Sequence, residues 1–358
     1  MCDYSKIKSN ILFWGELSPK TIHGIAIANQ INITILGSFF SIDIIEEENR
    51  FNKHDNLSIQ KFINSLGQFI SIICKSISYR YSHFYLVFSL STFGAIKTLL
   101  AISSFRLFNR GRVILHIHRG DFYSRFLKKR INKILTNLIF SMIYKVIVLS
   151  ENQKKELLIA FNKPCEVLCN TVETEYPKNH KENLKQRFLF ISNYLIDKGI
   201  LDLLEVFKKL CVKYPNINLE TYGAFSDQKL KETILSYNSS NIHIHETISG
   251  TEKFKKIANA DCLILPSWNE GQPIVLLEAM SVGTPIIASK VGLIPELLGY
   301  DYPYFTNPKD QLSLENTIIR FMESESIDNI SKELQNKYIS LYSIKKHEER
   351  ILKIFGKS

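Results

Sequence analysis

The sequence predicts an α/β protein with two doubly wound parallel sheets. Three observations carry the prediction. Strand-like apolar runs alternate with segments of helical period along the chain. The runs amount to about twelve strands, more than one open sheet comfortably holds. A polar stretch containing a proline, Thr171 to Gln186, separates them into two series.

In chain order, Asn10–Trp14 reads as the first core strand, and the Ile-rich Ile31–Leu36 as the second. Phe84–Ser89, Arg112–Ile117, Lys145–Leu149 and Glu166–Leu168 complete the first series. The second holds Phe188–Ile191, Asn218–Tyr222, Ile242–His245, Asp261–Leu265, Pro285–Ala288 and Pro303–Phe305. Between them lie helical segments such as Ile200–Leu210 and Ile274–Met280, and Ile330–Phe355 reads as one or two helices. The expected domains are 1–172 and 173–339, with a C-terminal helix over about 340–358 that can return to the first domain. Two such domains facing a central cleft would bind ligands at the carboxyl ends of their strands.

Composition narrows the class. With 358 residues, 45% hydrophobic and 22% charged, the chain has globular usage and length for two cores. Its apolar runs, such as Leu138–Ile143, stop well short of the roughly 20 residues that span a bilayer. Met1–Lys6 lacks the order of a signal peptide, so a cytoplasmic location is expected. Cys2, Cys74, Cys165, Cys169, Cys211 and Cys262 form no CxxC pair, which favours reduced, buried thiols over zinc. The net charge is +10, and the basic residues from Arg106 to Lys133 meet only Asp121. Phe122, Tyr123, Phe126, Leu127, Ile131, Ile134 and Leu135 are interleaved with them. Such a segment either rests on an anionic membrane surface or is a solvated helix face beside a core stripe. Nucleic-acid binding has the charge but no motif.

The densest chemistry lies after Asp261–Leu265. A polar loop with Gly271, Gln272 and Pro273 leads into a helix at Ile274, and Glu270 and Glu278 flank the loop. Pro273 suits the first helical position, and Gly271 lets backbone approach a ligand. Strand, glycine loop and helix present N–H groups to phosphate, while carboxylates accept from sugar hydroxyls. Together they suggest a nucleotide-sugar site; the alternative is an ordinary βα loop with two surface glutamates. Lys198-Gly199, after Phe188–Ile191, stands where a helix starts and can meet a diphosphate, or is simply solvated. His116 and His118 close a strand on one face, with His118 nearer a cleft and His116 packing. Gly24 follows the first strand without the Gly-x-Gly-x-x-Gly spacing of dinucleotide sites, and no Walker or Gly-x-Ser-x-Gly loop occurs.

These residues resemble a known family. Pro266-Ser267, Glu270-Gly271, Pro273, Leu277-Glu278-Ala279-Met280, Gly283 to Ala288 and Gly292-Leu293-Ile294-Pro295-Glu296 look like the donor-site signature of GT-B retaining glycosyltransferases of family 4. Gly24, His118, Val148-Leu149-Ser150-Glu151, Asn170, Lys198-Gly199 and Gly223 stand in the family's order. The likeness is strong from residue 187 to 300 and weaker before it.

The resemblance implies two Rossmann-like domains and a nucleotide-sugar donor held by the second. Glu278 would accept the ribose hydroxyls and Glu270 would contact the sugar, with N–H groups near Gly271, Gln272, Pro273 and Ile274 around sugar and phosphate. Gly223 would belong to the donor site, and Gly24 would approach the diphosphate from the first domain. Lys198 would neutralise the leaving diphosphate without a metal or other cofactor, and His118 would lie near the anomeric carbon and acceptor. Many relatives carry arginine where this chain has Asn193, so another base, Lys20 or Arg119, is expected to compensate. The implied partners are a nucleotide-sugar donor and a carbohydrate acceptor. A polyprenyl-diphosphate-linked saccharide of bacterial surface polysaccharide synthesis, at the inner membrane face, fits that acceptor. The alternatives are a GT-B sugar-nucleotide epimerase and an inactive sugar-nucleotide-binding protein.

Overall fold

The computed structural model describes residues 10–20, 23–47, 59–173 and 186–356. Met1–Lys6, Cys2 and most of the Thr171–Gln186 break lie outside the described residues. The chain forms two compact units, Met1–Asn170 with His347–Ser358, and Thr171–Lys346. Each contains a six-stranded sheet with helices between its strands, and every strand pairing is parallel.

The first unit runs β1 Asn10–Gly15, α1 Gly24–Phe39, β2 Ser41–Glu46, α2 Ile59–Ser78, β3 His83–Val87, α3 Thr92–Phe108, β4 Arg112–His116, α4 Arg130–Met142, β5 Lys145–Val148, α5 Glu151–Phe161 and β6 Cys165–Val167. The spatial order is β2-β1-β3-β4-β5-β6. Successive strand residues bury on opposite faces, as a strand's period of two requires. Leu12, Phe84, Val113 and Val146 pack with Ile72, Ile102 and Ile139 of α2, α3 and α4. Phe13, Tyr85, Ile114 and Ile147 pack with Leu36 of α1 and with Ile351 and Ile354 of the last helix, α13 Ile344–Ile354. Burial on both faces explains why the strands read as near-continuous apolar runs.

One strand expectation fails here. Ile31–Leu36 lies inside α1, and the strand at this place is β2, five residues beyond Leu36 by its start at Ser41. The segment alternates apolar and polar residues, a strand-like pattern. One of its polar members is a buried core residue, however: Asn32, with Asn29 one turn earlier, shares the inner helix face with Ile33 and Leu36, while Thr34 is exposed. The His23 ring caps the helix by accepting from the Ala26 N–H at 3.3 Å.

The second unit runs β7 Arg187–Ile191, α6 Ile200–Lys213, β8 Asn218–Tyr222, α7 Gln228–Leu235, β9 Ile242–His245, α8 Gly250–Asn259, β10 Cys262–Leu265, α9 Ile274–Val282, β11 Ile286–Ser289, α10 Ile294–Leu298, β12 Phe305–Thr306, α11 Gln311–Glu323 and α12 Ile327–Lys337. Its order is β12-β11-β10-β7-β8-β9. All nine residues of α9 are buried, so this helix is apolar nearly all round and carries Glu278 into the core. Ile330–Phe355 resolves into the end of α12, a π-helical turn at Tyr338–Tyr342, and α13.

Candidate functional site

Strand order selects the place. From β7 the chain builds outward through β8 and β9, then returns to β10 beside β7 and continues to β11 and β12 on the other side. The loops leaving β7 and β10 therefore diverge at a topological switch point, where doubly wound sheets hold ligands.

The β7 loop ends in a turn, Ile196–Lys198, and then Gly199 at φ +72°. A side chain there would be strained, and its Cβ would overlap the Pro266 carbonyl of the β10 loop. On the other flank Gly292 stands at φ +54°, and a Cβ would overlap the Glu270 carbonyl. The two glycines thus clamp the Pro266–Gly271 backbone from both sides. Trp268 adds two ties: its N–H donates to the Asp197 carbonyl at 2.8 Å, and its indole N–H to Asp202 at 3.0 Å.

Held this way, Glu270 meets Lys198. The ammonium lies 2.7 Å from Glu270 Oε1, which also accepts from the Ser267 hydroxyl at 2.7 Å. The pair is mostly buried, with Lys198 and Glu270 side chains 24% and 9% exposed. Deeper in, Lys253 of α8 contacts both oxygens of Glu278, at 2.7 and 2.6 Å. A charge within α9 is tolerated because a second charge faces it at hydrogen-bond distance. Gln272 and Ile274 are buried. Pro273 stands one residue earlier than expected, as the extended cap before α9 rather than its first residue.

In the same loop after β7, Asn193 is half-buried. Tyr194 beside it is fully buried, donating to the His245 carbonyl at 2.7 Å and contacting the Thr221 hydroxyl at 2.9 Å. The close approach at Gly223 is to the Ser192 carbonyl, so packing alone accounts for this glycine. Tyr222 and His245 stack at the ends of β8 and β9, with centroids 4.7 Å apart.

His118 and Gly24 belong to the first unit. Gly24 opens α1 next to His23, whose ring lies 2.5 Å from Glu16. His118 follows β4, buried, with its ring centroid 3.7 Å from that of His116. Neither ring nitrogen of His118 has a hydrogen-bond partner among the described residues. Burial, and then His23 and His347, push His118 down to about 3, so it is a neutral imidazole at physiological pH. Both bases considered for the missing arginine hold carboxylates: Arg119 is bidentate on Asp121 at 2.9 and 2.6 Å, and Lys20 is 2.7 Å from Glu46.

The structure thus brings together Lys198, Glu270, Gly271, Gln272, Pro273, Ile274 and Glu278. Lys253, Ser267, Trp268 and Asp202 were not assigned roles from sequence. Lys253 lies on a helix with lysines at 253, 255 and 256, which reads as a solvated face. Among the described residues, no three His, Cys, Asp or Glu side chains form a metal-holding group, and no helix is long and apolar enough to cross a membrane.

The chain is similar to known proteins. Residues 172–340 match the sequence model of the family Glycosyl transferases group 1. An uncharacterized glycosyltransferase of Methanocaldococcus jannaschii is 26% identical over 240 residues, covering 59% of this chain and 58% of that protein. The lipopolysaccharide 1,2-N-acetylglucosaminetransferase of Salmonella typhimurium is 27% identical over 191 residues, covering 47% and 50%. The chain therefore spans only about half the length of these relatives. In fold, it superposes on sucrose-phosphate synthase from Thermosynechococcus elongatus with a TM-score of 0.74 at 15% identity, covering 97% of this chain and 98% of that one. The clamped loop pair at the switch point therefore lies within the stretch that matches this family's model, in a chain whose two parallel-sheet units have the GT-B fold.

Proposed function

We propose that this protein is a retaining, metal-independent glycosyltransferase that moves a sugar from a nucleotide donor to a carbohydrate acceptor. The observation that carries the reading is the Lys198–Glu270 pair at the β7/β10 switch point, one loop away from a buried Glu278. A carboxylate has about four lone-pair sites. Lys253 hydrogen-bonds Oε1 of Glu278 and lies 2.6 Å from Oε2, which has no hydrogen-bond partner among the described residues, so lone pairs remain for the adjacent hydroxyls of a ribose. Donor binding exchanges the Lys198–Glu270 contact for two others: Lys198 moves to the diphosphate and Glu270 to a sugar hydroxyl. Lys198 supplies there the positive charge that stabilises a leaving phosphate. The N–H groups from Gly271 to the start of α9 lie on the same loop, where the helix dipole favours an anion. In this reading Asn193, Gly223 and Gly24 line the donor. His118, being neutral, hydrogen-bonds the acceptor or sugar rather than carrying charge.

The acceptor we propose is a lipid-linked saccharide, reached from the cytoplasmic face of the membrane. The support is the first unit's surface. Leu66, Ile70 and Ile77 of α2, Phe93, Ile96, Leu100 and Leu107 of α3, and Ile131, Ile134 and Leu138 of α4 are all exposed. Apolar side chains at these spacings form an outward stripe on each helix. Between Asn56 and Ser150 the sequence carries Asp121 as its only acidic residue, among Lys and Arg throughout. Exposed apolar stripes in a basic field suit an anionic lipid surface.

The test is product formation from a radiolabelled nucleotide-sugar panel with lipid-linked acceptors. Glu270→Ala and Lys198→Ala are each expected to lower turnover by at least about a hundredfold, the scale of losing one transition-state charge contact. Wild-type turnover in both variants overturns the assignment. An epimer formed from donor alone identifies an isomerase instead.

A further inference from the structure

The first unit contains a buried line of polar side chains that the transfer chemistry above leaves unused. It starts on the last helix. His347 Nδ1 lies 2.8 Å from the Cys169 carbonyl oxygen, and Nε2 lies 2.6 Å from Asn32 Oδ1, with Asn32 Nδ2 turned toward Tyr85. The same amide lies 2.9 Å from the Tyr85 hydroxyl, and that hydroxyl lies 2.8 Å from His116 Nδ1. His116 in turn packs against His118. All five side chains are buried.

Donor and acceptor capacity makes the line directional. The Cys169 carbonyl only accepts, so His347 Nδ1 always carries a proton. Suppose Nε2 carries one too, making His347 an imidazolium. It then donates to the Asn32 oxygen, the Asn32 NH₂ donates to Tyr85, and Tyr85 donates to His116 Nδ1. The His116 proton then sits on Nε2. Suppose instead that His347 is neutral. Nε2 then accepts, so the Asn32 amide turns over to donate to it and offers its oxygen to Tyr85. Tyr85 donates to that oxygen and accepts from His116, whose proton sits on Nδ1. Between the two states one proton leaves His347 and one moves across His116. Any mixed arrangement either sets two donors or two acceptors face to face or leaves the Tyr85 hydroxyl proton unpaired in a buried site.

We infer that His347 is a positioning residue for His118: through Asn32 and Tyr85 it sets which nitrogen of His116 carries the proton. The ring packed against His118 accordingly presents a lone pair or an N–H at Nε2. Burial, with Arg350 of the same helix, lowers His347 to about 4, while the Cys169 carbonyl favours its charged form. His116 and His118 face it from the end of β4, and their mutual charges oppose protonation. With the Asn32 amide turned over from the orientation that places Nδ2 toward Tyr85, the neutral arrangement is the one expected at physiological pH. Only the kinetic consequence rests on the proposed transfer reaction; the proton linkage does not.

The test is two-bond ¹H–¹⁵N spectroscopy of the full chain labelled at histidine. In wild type at neutral pH, His347 and His116 are both expected to be protonated on Nδ1 alone. Asn32→Asp, whose carboxylate only accepts, is expected to put protons on both nitrogens of His347. Tyr85→Phe and Asn32→Leu cut the line and are expected to move the His116 proton to Nε2. Both are expected to lower kcat by about tenfold, one hydrogen bond's worth, with the donor KM unchanged. A His116 proton on Nε2 beside a neutral His347 overturns the inference with no variant needed. So does a His116 state that is the same in wild type, Tyr85→Phe and Asn32→Leu. A tautomer that moves while kcat stays constant supports the linkage and counts instead against His118 in the transfer reaction.

Discussion

The two units share an architecture, six parallel strands in each sheet, and both hold ion pairs, Lys97–Glu47 and Arg119–Asp121 among those of the first, but they differ in buried histidines. The first fills its interior with neutral histidines. Burial lowers His83 and His347 to about 4 and His118 to about 3, and holds His116 well below its ordinary value. The second uses fixed opposite charges. Besides Lys198–Glu270 and Lys253–Glu278, Asp261 accepts from Arg187 at 2.5 and 3.2 Å and from the N–H groups of Gln186 and Arg187 at 3.0 Å. Fixed charges suit a ligand that is always an anion. Imidazoles held neutral suit hydroxyls, as donor or acceptor. The surfaces differ as well, since the outward apolar stripes on neighbouring helices belong to the first unit.

The comparison can be broken at several points, and the tryptophans help, because Trp14 lies in the first unit and Trp268 in the second. Single-tryptophan versions report each unit's denaturant unfolding separately. The largest effect is expected from Gly292→Ala. A left-handed φ and overlap with the Glu270 carbonyl should lower the stability reported by Trp268 by about 3 kcal/mol, leaving Trp14 unchanged. An equal loss at Trp14 would show that the units do not unfold independently.

Acid comes next. Histidines whose folded values lie near 4 bind fewer protons than the unfolded chain between about pH 4 and 6.5, so stability rises with pH across that window. Acidifying through it should weaken the Trp14-reported unit by up to about 1.4 kcal/mol per histidine per pH unit. The Trp268-reported unit, where the exposed His245 is the shifted histidine among the described residues, should weaken less across that window. Coincident acid transitions would remove the distinction.

The smallest stability effect, within about 0.5 kcal/mol, is expected for Leu100→Glu, for charge reversal at Lys128, Lys129 and Arg130, and for Val212→Glu in the second unit. Vesicle sedimentation should separate these variants. The first two are expected to reduce binding to anionic vesicles by about tenfold or more, and Val212→Glu to leave it unchanged. Binding that survives both first-unit changes would rule out this surface as the membrane face.

Much of this was legible because it is local. Asn218–Tyr222 and Ile242–His245 are strands as read, each a short run that mixes apolar and polar residues in the manner of a strand. The stretch from Glu270 to Glu278 was legible for the same reason: strand, glycine loop and helix occupy one short span, with glycine and proline marking the turn. Ile31–Leu36 misled because Asn32 behaves as a core residue, and only the Tyr85 hydroxyl and His347 explain why an amide is buried there. Lys253 was invisible because a helix lysine reads as solvated until a carboxylate is found facing it, here from another helix.

By itself, then, the sequence determined the alternation of strands and helices, their division into two series, and the loop with its two glutamates. These follow from hydrophobic periodicity and turn chemistry, which act over a few residues. Strand order, which sets β10 beside β7 and so Lys198 against Glu270, was decided in three dimensions. So was the return of the last helix to the first unit, which sets His347 against Asn32. These pairings depend on which apolar faces bury one another, and a one-dimensional pattern does not encode that choice.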